Sequence, residues 1–251
     1  VILKFSSGLG DEIVKVRHDL EADRSMNQRE WDLPALIDHT ILRPEATRAD
    51  VLRLCREARE QGFQVIFIPP CYAAEAVAAV SGSPVRVGIP IGFPLGGHTT
   101  GTKVAEALEG VRQGASVLDM VLNVSRLKSG DHDAVRQDIA EVVLATPQAE
   151  HKVILETCYL SDQEKMTACR LAVEAGADYV KTSTGFGASG ATVSDVKLMV
   201  AAVQGKAKVK ASGGIRDWNM TRQLLEAGAD RIGTSASLAI LDAWSAARAI
   251  R

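Results

Sequence analysis

A chain of 251 residues with 46% hydrophobic and 24% charged residues has the makeup of a globular protein with a sizeable core, which excludes an intrinsically disordered chain. Its 29 Lys and Arg against 31 Asp and Glu leave a formal net charge of −2, so no bulk basic surface points to nucleic acid or an anionic membrane as partner, although a local anion pocket stays open. No run approaches the ~18 uninterrupted apolar residues of a spanning helix, and the first residues, which turn acidic early, read as neither a secretory signal nor a transit peptide.

Residues 1–33 are mixed and charged, with weak helical periodicity around Ile13, Val14, Val16 and Leu20, and read as an extension outside a single domain over residues 34–251. A β-prone run at Ala35–Leu42 opens that domain, and a helical stretch at Ala49–Arg59 closes on Gln61-Gly62. Further β-prone runs follow at Gln64–Pro70, Val85–Phe93 and Ser116–Asn123, with helical spacing at Lys103–Gln113 before Gly114. The second half repeats the beat, with strands at Lys152–Thr157, Asp178–Thr184, Ala207–Gly213 and Asp230–Ser235. Helices at Ser161–Ala175 and Trp218–Ala227 again stop at glycines, Gly176 and Gly228, as helices do when the chain leaves them through a left-handed residue. Eight strand–helix units at roughly 25–35 residue intervals predict a (β/α)8 TIM barrel, the α/β architecture that typically needs ~250 residues, over an open doubly wound sheet.

Barrel strands are buried on both faces, so an ionisable residue inside one needs a reason, and residues i and i+2 share a face. Asp38 and Thr40 share a face in the first run, Asp119, Val121 and Asn123 in the fourth, Lys181 and Ser183 in the sixth, and Lys208, Lys210 and Ser212 in the seventh. Lys208 reads as a strand-end charge reaching solvent. Asp119, Lys181 and Lys210 together read as a site, because inward residues near the C-terminal mouth of a barrel converge. Two ammonium groups on adjacent strands repel, which lowers the pKa of one and equips its free amine to attack a carbonyl.

Ser212-Gly213-Gly214-Ile215-Arg216 follows the seventh strand and Gly233-Thr234-Ser235 closes the eighth, where barrels build phosphate sites from backbone N–H groups. Gly185-Phe186-Gly187-Ala188-Ser189-Gly190 fits the dinucleotide pattern G-x-G-x-x-G, but the next strand ends in Lys210 and Ser212 where an acid is wanted, so it reads as a mouth loop and no cofactor is expected. Gly96-Gly97-His98 likewise reads as a loop. Glu156-Thr157-Cys158 reads either as touching the site or, for its acid, as balancing the lysines, and Cys158 as a weak nucleophile candidate. Cys55, Cys71, Cys158 and Cys169 form no C-x-x-C pair and the five histidines are scattered. Reduced cysteines, a cytoplasmic location and no metal site are therefore expected.

These residues carry a resemblance. Leu36-Ile37-Asp38-His39-Thr40, Gly92-Phe93-Pro94-Leu95-Gly96, Leu118-Asp119-Met120-Val121-Leu122-Asn123, Leu127-Lys128-Ser129-Gly130-Asp131, Glu156-Thr157-Cys158, Val180-Lys181-Thr182-Ser183-Thr184-Gly185-Phe186 and Val209-Lys210-Ala211-Ser212-Gly213-Gly214-Ile215-Arg216 resemble, in order, the motifs of the deoxyribose-phosphate aldolase family. The resemblance runs from about residue 34 to about residue 240. It implies a metal-independent class I aldolase of deoxyribose phosphate catabolism, cleaving 2-deoxy-D-ribose 5-phosphate to glyceraldehyde 3-phosphate and acetaldehyde. By motif, Lys181 is the Schiff-base lysine, with Asp119 and Lys210 as the proton-transfer pair. Gly185, Gly213, Gly214, Gly233, Ser235 and Arg216 hold the phosphate, and Asp38, Thr40 and Thr184 surround the reacting carbons. Family members commonly form homodimers or homotetramers.

The sequence departs from the family at Phe67-Ile68-Pro69-Pro70, where a Cys-Val-Asn-Pro-like run is expected, at Gly101, where relatives usually carry Glu, and at Ala236, where a second Ser or another residue often follows Ser235. These departures bear on the shape of the mouth and on substrate breadth. The alternatives are a sugar-phosphate isomerase or epimerase, which would work with carboxylates or metal rather than a lysine pair, and a catalytically silent phosphosugar-binding barrel.

Overall fold

A computed structural model describes residues 31–249, so the extension expected over residues 1–33 lies, apart from its last three positions, outside the described residues. The eight strands are β1 (Ile37–Thr40), β2 (Val65–Phe67), β3 (Arg86–Ile91), β4 (Val117–Val121), β5 (Glu150–Ile154), β6 (Tyr179–Lys181), β7 (Lys208–Ser212) and β8 (Arg231–Thr234). All pair in parallel and in sequence order, and β8 returns to β1 through Asp38 opposite Gly233, closing the barrel. The (β/α)8 architecture expected from the alternation is the one found.

The described helices are α1 (Leu33–Leu36), α2 (Arg48–Gln61), α3 (Ala73–Val80), α4 (Thr100–Arg112), α5 (Val124–Lys128), α6 (His132–Ala145), α7 (Asp162–Glu174), α8 (Val193–Val203), α9 (Trp218–Glu226) and α10 (Ser237–Ala249). Their starts are set by side chains that satisfy orphan N–H groups. Thr47 with Asp50 and Ser161 with Glu164 form reciprocal capping boxes on α2 and α7, and Asp217 caps α9 through the N–H of Met220. Their ends follow the glycines read from the sequence; Gly62, at φ 79°, returns its N–H to the Ala58 carbonyl.

Two expected boundaries move. The run at Ala35–Leu42 begins inside the short helix α1, whose Leu33 is buried in the core, and strand pairing starts only at Ile37. Strand β5 starts two residues earlier than expected, at Glu150, and ends at Ile154, so Glu156 lies beyond it with a left-handed backbone (φ 55°) ahead of a 3-10 turn at Thr157–Tyr159.

Outward-facing polar groups tie strands to helices. His39 is hydrogen-bonded at 2.9 Å to Glu57 of α2 and at 2.9 Å to Ser237 of α10, and stacks on Phe63. The buried Lys103 of α4 donates to the Val121 carbonyl at 2.9 Å and to Asp138 of α6 at 2.6 Å, which fixes the end of β4 two residues past Asp119. Inside the barrel Val65, Phe67 and Val117 form an apolar floor. Phe67 thus stands at the floor rather than at the mouth, with Gly88 opposite leaving room for its ring: a Cβ there would lie 2.6 Å from the ring edge. Gly101 is exposed in the first turn of α4 with open space around it.

Candidate active site

Register brings the inward ionisable residues together. Asp119 of β4 lies opposite Lys152 of β5, and Lys181 of β6 lies directly opposite Lys210 of β7. The ammonium groups of Lys181 and Lys210 both reach one oxygen of Asp119, Oδ2, at 2.7 Å each. Lys210 also pairs with Asp38 Oδ2 at 2.6 Å, and Arg231 holds Asp38 Oδ1 at 2.8 Å. Asp38 and Asp119 are fully buried and Lys181 and Lys210 nearly so, while Lys208, at the far end of β7, is exposed as expected of a strand-end lysine.

Burial drives the electrostatics. It pulls the Lys181 amine down from its ordinary range to about 8; the carboxylate of Asp119 works against that shift and the Lys210 ammonium works with it. Repulsion between the lysines, expected from the sequence as the cause, is therefore the lesser one. Burial acts on Lys210 as well, but there the carboxylates of Asp119 and Asp38 prevail and raise its pKa, so it stays an ammonium. Burial alone would raise the Asp119 carboxyl, yet Lys181, Lys210 and Lys152 together hold it well below the usual carboxylate range. The result is one ionised acid, one fixed cation and one amine that is partly free near neutral pH.

Above this cluster opens a cavity of about 470 Å3, of a size that suits a small metabolite. Lys181, Thr40, Thr184, Gly185, Gly213, Gly214, Arg216, Gly233 and Ser235 line it, and Asp38 lies beneath it, engaged by Lys210 and Arg231. The loops after β6, β7 and β8 are zipped together. Thr182 Oγ1 donates to the Ser212 carbonyl at 2.9 Å, Ser212 Oγ donates to the Ser183 carbonyl at 2.5 Å, and Thr234 Oγ1 donates to the Ile215 carbonyl at 2.7 Å. The glycine run after β6 takes its meaning here. A Cβ at Gly190 would lie 2.0 Å from the Gly213 carbonyl oxygen, so the third glycine allows two backbones to touch and marks no dinucleotide fingerprint. Gly233 serves likewise: a Cβ there would meet Lys210 Cε at 2.9 Å.

Further residues surround the site, of which Glu156 and Cys158 were singled out in the sequence and Phe186, Arg43, Lys152, Glu150 and Arg231 were not. Glu156 does not balance the lysines; its carboxylate accepts the Thr184 hydroxyl in a short hydrogen bond and the Thr184 N–H at 3.2 Å, which anchors the loop after β6. Cys158 packs against Gly187 of that loop. Phe186 forms a wall of the cavity, edge-on to Phe93, and Arg43 reaches the rim from the loop after β1, held by Asp50 at 2.9 Å. Lys152, Glu150 and Arg231 extend the charged cluster down the barrel. Strand parity could have found Lys152, which shares a face with Ile154, opposite Lys181. Among the described residues no group of three or more His, Cys, Asp or Glu side chains is placed to hold a metal ion, and no helix is long and apolar enough to cross a membrane.

Comparison with known proteins agrees with this geometry. Residues 33–246 match the model of the DeoC/LacD family of aldolases. A deoxyribose-phosphate aldolase of Caldanaerobacter subterraneus subsp. tengcongensis is 51% identical over 216 residues, covering 85% of this chain and 94% of that protein. One from Aciduliprofundum boonei is 49% identical, covering 84% of this chain and 96% of the other. The tetrameric deoxyribose phosphate aldolase of Aeropyrum pernix superposes with a TM-score of 0.80 at 35% identity, over 86% of this chain and 92% of that one. By the extent of the family match and the identity to these relatives, the chain belongs to the DeoC/LacD family of aldolases.

Proposed function

We propose that the protein is a deoxyribose-phosphate aldolase that cleaves 2-deoxy-D-ribose 5-phosphate reversibly to D-glyceraldehyde 3-phosphate and acetaldehyde through a Schiff base on Lys181. The observation that carries this reading is the pair of amines on one carboxylate oxygen, Lys181 and Lys210 each 2.7 Å from Asp119 Oδ2, under a cavity rimmed by glycine loops.

The chemistry follows from the charge states. The free Lys181 amine attacks C1 of the open-chain sugar, and loss of water leaves an iminium. Asp119, ionised and in contact with both lysines, takes part in the relay that removes the proton of the C3 hydroxyl. The C2–C3 bond then breaks, its electron pair moves toward the iminium nitrogen to form an enamine, and glyceraldehyde 3-phosphate departs. Protonation of the enamine at C2 and addition of water release acetaldehyde and restore the amine. Lys210, held as an ammonium, adds to burial in lowering the Lys181 pKa and assists proton transfer at Asp119. The iminium is the electron sink, so the cycle calls for no metal or organic cofactor.

Backbone N–H groups of Gly185, Gly213, Gly214, Gly233 and Ser235, with the Arg216 guanidinium, suit the phosphate, and Thr40 and Thr184 flank the path between phosphate and amine. An isomerase or epimerase would have no use for a partly free lysine amine held against a second ammonium on one carboxylate oxygen. The four cysteines, none of them in a disulfide, suit a cytoplasmic enzyme, and the tetrameric relative suits a homo-oligomer. Incubation with 2-deoxy-D-ribose 5-phosphate tests the function: release of acetaldehyde and glyceraldehyde 3-phosphate in equal amounts is expected, and conversion to an isomeric pentose phosphate without acetaldehyde would replace the reading.

A further inference from the structure

The inward charges of the barrel form one cluster that can be counted. Its carboxylates are Asp38 of β1, Asp119 of β4 and Glu150 of β5, and its cations are Lys152 of β5, Lys181 of β6, Lys210 of β7 and Arg231 of β8. Tyr179 of β6 and Phe67 of β2 contribute rings, with Lys152 Nζ 5.1 and 5.4 Å from their centroids. Arg86 of β3 pairs with Glu150 at 3.0 Å from the half-exposed lower end, where water screens its charge, and Lys208, near the Tyr179 ring, is exposed. Three carboxylates facing four buried basic groups leave one cation in excess. An uncompensated charge in such surroundings costs several kcal/mol, so one basic group gives up its proton.

We propose that Lys152 carries the third ammonium of this cluster and thereby leaves Lys181 as the free amine, which makes Lys152 a positioning residue for the nucleophile. Arg231 does not deprotonate, and Lys210 is seated between Asp38 and Asp119 at 2.6 and 2.7 Å. The remaining proton rests on Lys152 or Lys181, and their surroundings differ. Lys152 Nζ is 2.5 Å from Glu150 Oε1, 3.8 Å from Asp119 Oδ1 and 4.0 Å from Asp38 Oδ2. Asp119 Oδ1 accepts no hydrogen bond from the described residues, so the Lys152 ammonium is the charge that faces it. Lys181 Nζ has one carboxylate oxygen, Asp119 Oδ2, and shares it with Lys210. Burial pulls both amines below the ordinary lysine range. The one among three carboxylates keeps the proton, and the two titrate as a coupled pair.

The inference rests on the Schiff-base reading of Lys181, and its test separates the two. The enzyme is treated with acetaldehyde and cyanoborohydride between about pH 6 and pH 10, and the pH of half-maximal adduct on Lys181 is read by peptide mass spectrometry. Lys152→Met leaves three carboxylates against Lys210 and Arg231, so Lys181 must hold the proton and the half-point rises by about one unit or more. Lys152→Met with Glu150→Gln restores the balance, and the half-point returns toward that of the unaltered enzyme. Glu150→Gln alone lowers it, which keeps the test decisive should Lys152→Met fail to fold. A structural role would lower Tm and leave all these half-points in place, which would overturn the inference. So would a double variant whose half-point stays as high as that of Lys152→Met. Absence of any Lys181 adduct in the unaltered enzyme would overturn the Schiff-base reading and the inference with it.

Discussion

At the scale of single residues, the proposed cycle divides the labour among three side chains that share one contact. Lys181→Met removes the amine to which the proposed cycle assigns the first attack, and loss of measurable deoxyribose 5-phosphate cleavage is expected. Lys210→Met leaves that amine in place but takes away a cation that helps hold its pKa near 8. Turnover should fall severely while Lys181 still forms an adduct, with its half-point moved upward. Because burial is the larger cause of the depressed pKa, the rise should stop short of the ordinary value of ~10.4. Asp119→Asn moves Lys181 the other way, since the carboxylate is what raises its pKa: adduct formation should persist to lower pH while turnover collapses. That change also strips a buried partner from two lysines, at a cost on the order of 3–5 kcal/mol in a denaturant titration.

Strand parity made Asp119, Lys181 and Lys210 legible in the sequence, because a charge in mid-strand at an inward position is costly to bury unless a partner or a reaction requires it. Lys152, Glu150 and Arg231 stayed hidden for a physical reason. Glu150 and Arg231 sit at the first residues of their strands and Lys152 at the first residue of the run expected as a strand, where a charge ordinarily reaches solvent, and partners such as Asp38 lie across a barrel whose closure no local pattern reveals.

At the scale of elements, the three loops after β6, β7 and β8 act as one body. Gly190→Ala would drive its Cβ into the Gly213 carbonyl and part the first two loops. Loss of kcat/KM for the phosphorylated sugar on the order of tenfold or more is expected, with little change for unphosphorylated deoxyribose. Equal losses on both substrates would mean that the loops shape the fold alone. Gly214 has open space around it but a φ of 74°, so Gly214→Ala crowds nothing and should raise KM for the phosphorylated sugar through backbone strain. The glycine motifs located these loops correctly from sequence, but which glycines permit backbone contact and which permit a left-handed turn depends on neighbours distant in the chain. Helix stops were legible because capping is local. The boundaries of β1 and β5 were not, since an apolar run does not distinguish α1 from strand and a polar start such as Glu150-His151-Lys152 does not announce one.

At the scale of the molecule, the barrel interior couples stability to catalysis. The Phe67 ring lies below the lysines, with Lys210 Nζ 3.8 Å and Lys181 Nζ 5.5 Å from its centroid. Phe67→Ala should cost about 3–5 kcal/mol in denaturant unfolding, because it opens a void directly under the charged cluster. A chelator should leave turnover unchanged, since the proposed cycle draws its electron sink from the iminium, and restoration of lost activity by an added divalent cation would contradict that. The decisive measurement is the site of covalent attachment. The protein is reduced with borohydride in the presence of 2-deoxy-D-ribose 5-phosphate and digested, and its peptides are weighed. A reduced adduct on Lys181, absent from Lys181→Met, is the expected result. An adduct confined to Lys210 or Lys152, or none on any lysine of an enzyme that still turns over, would contradict the assignment of Lys181 as the nucleophile.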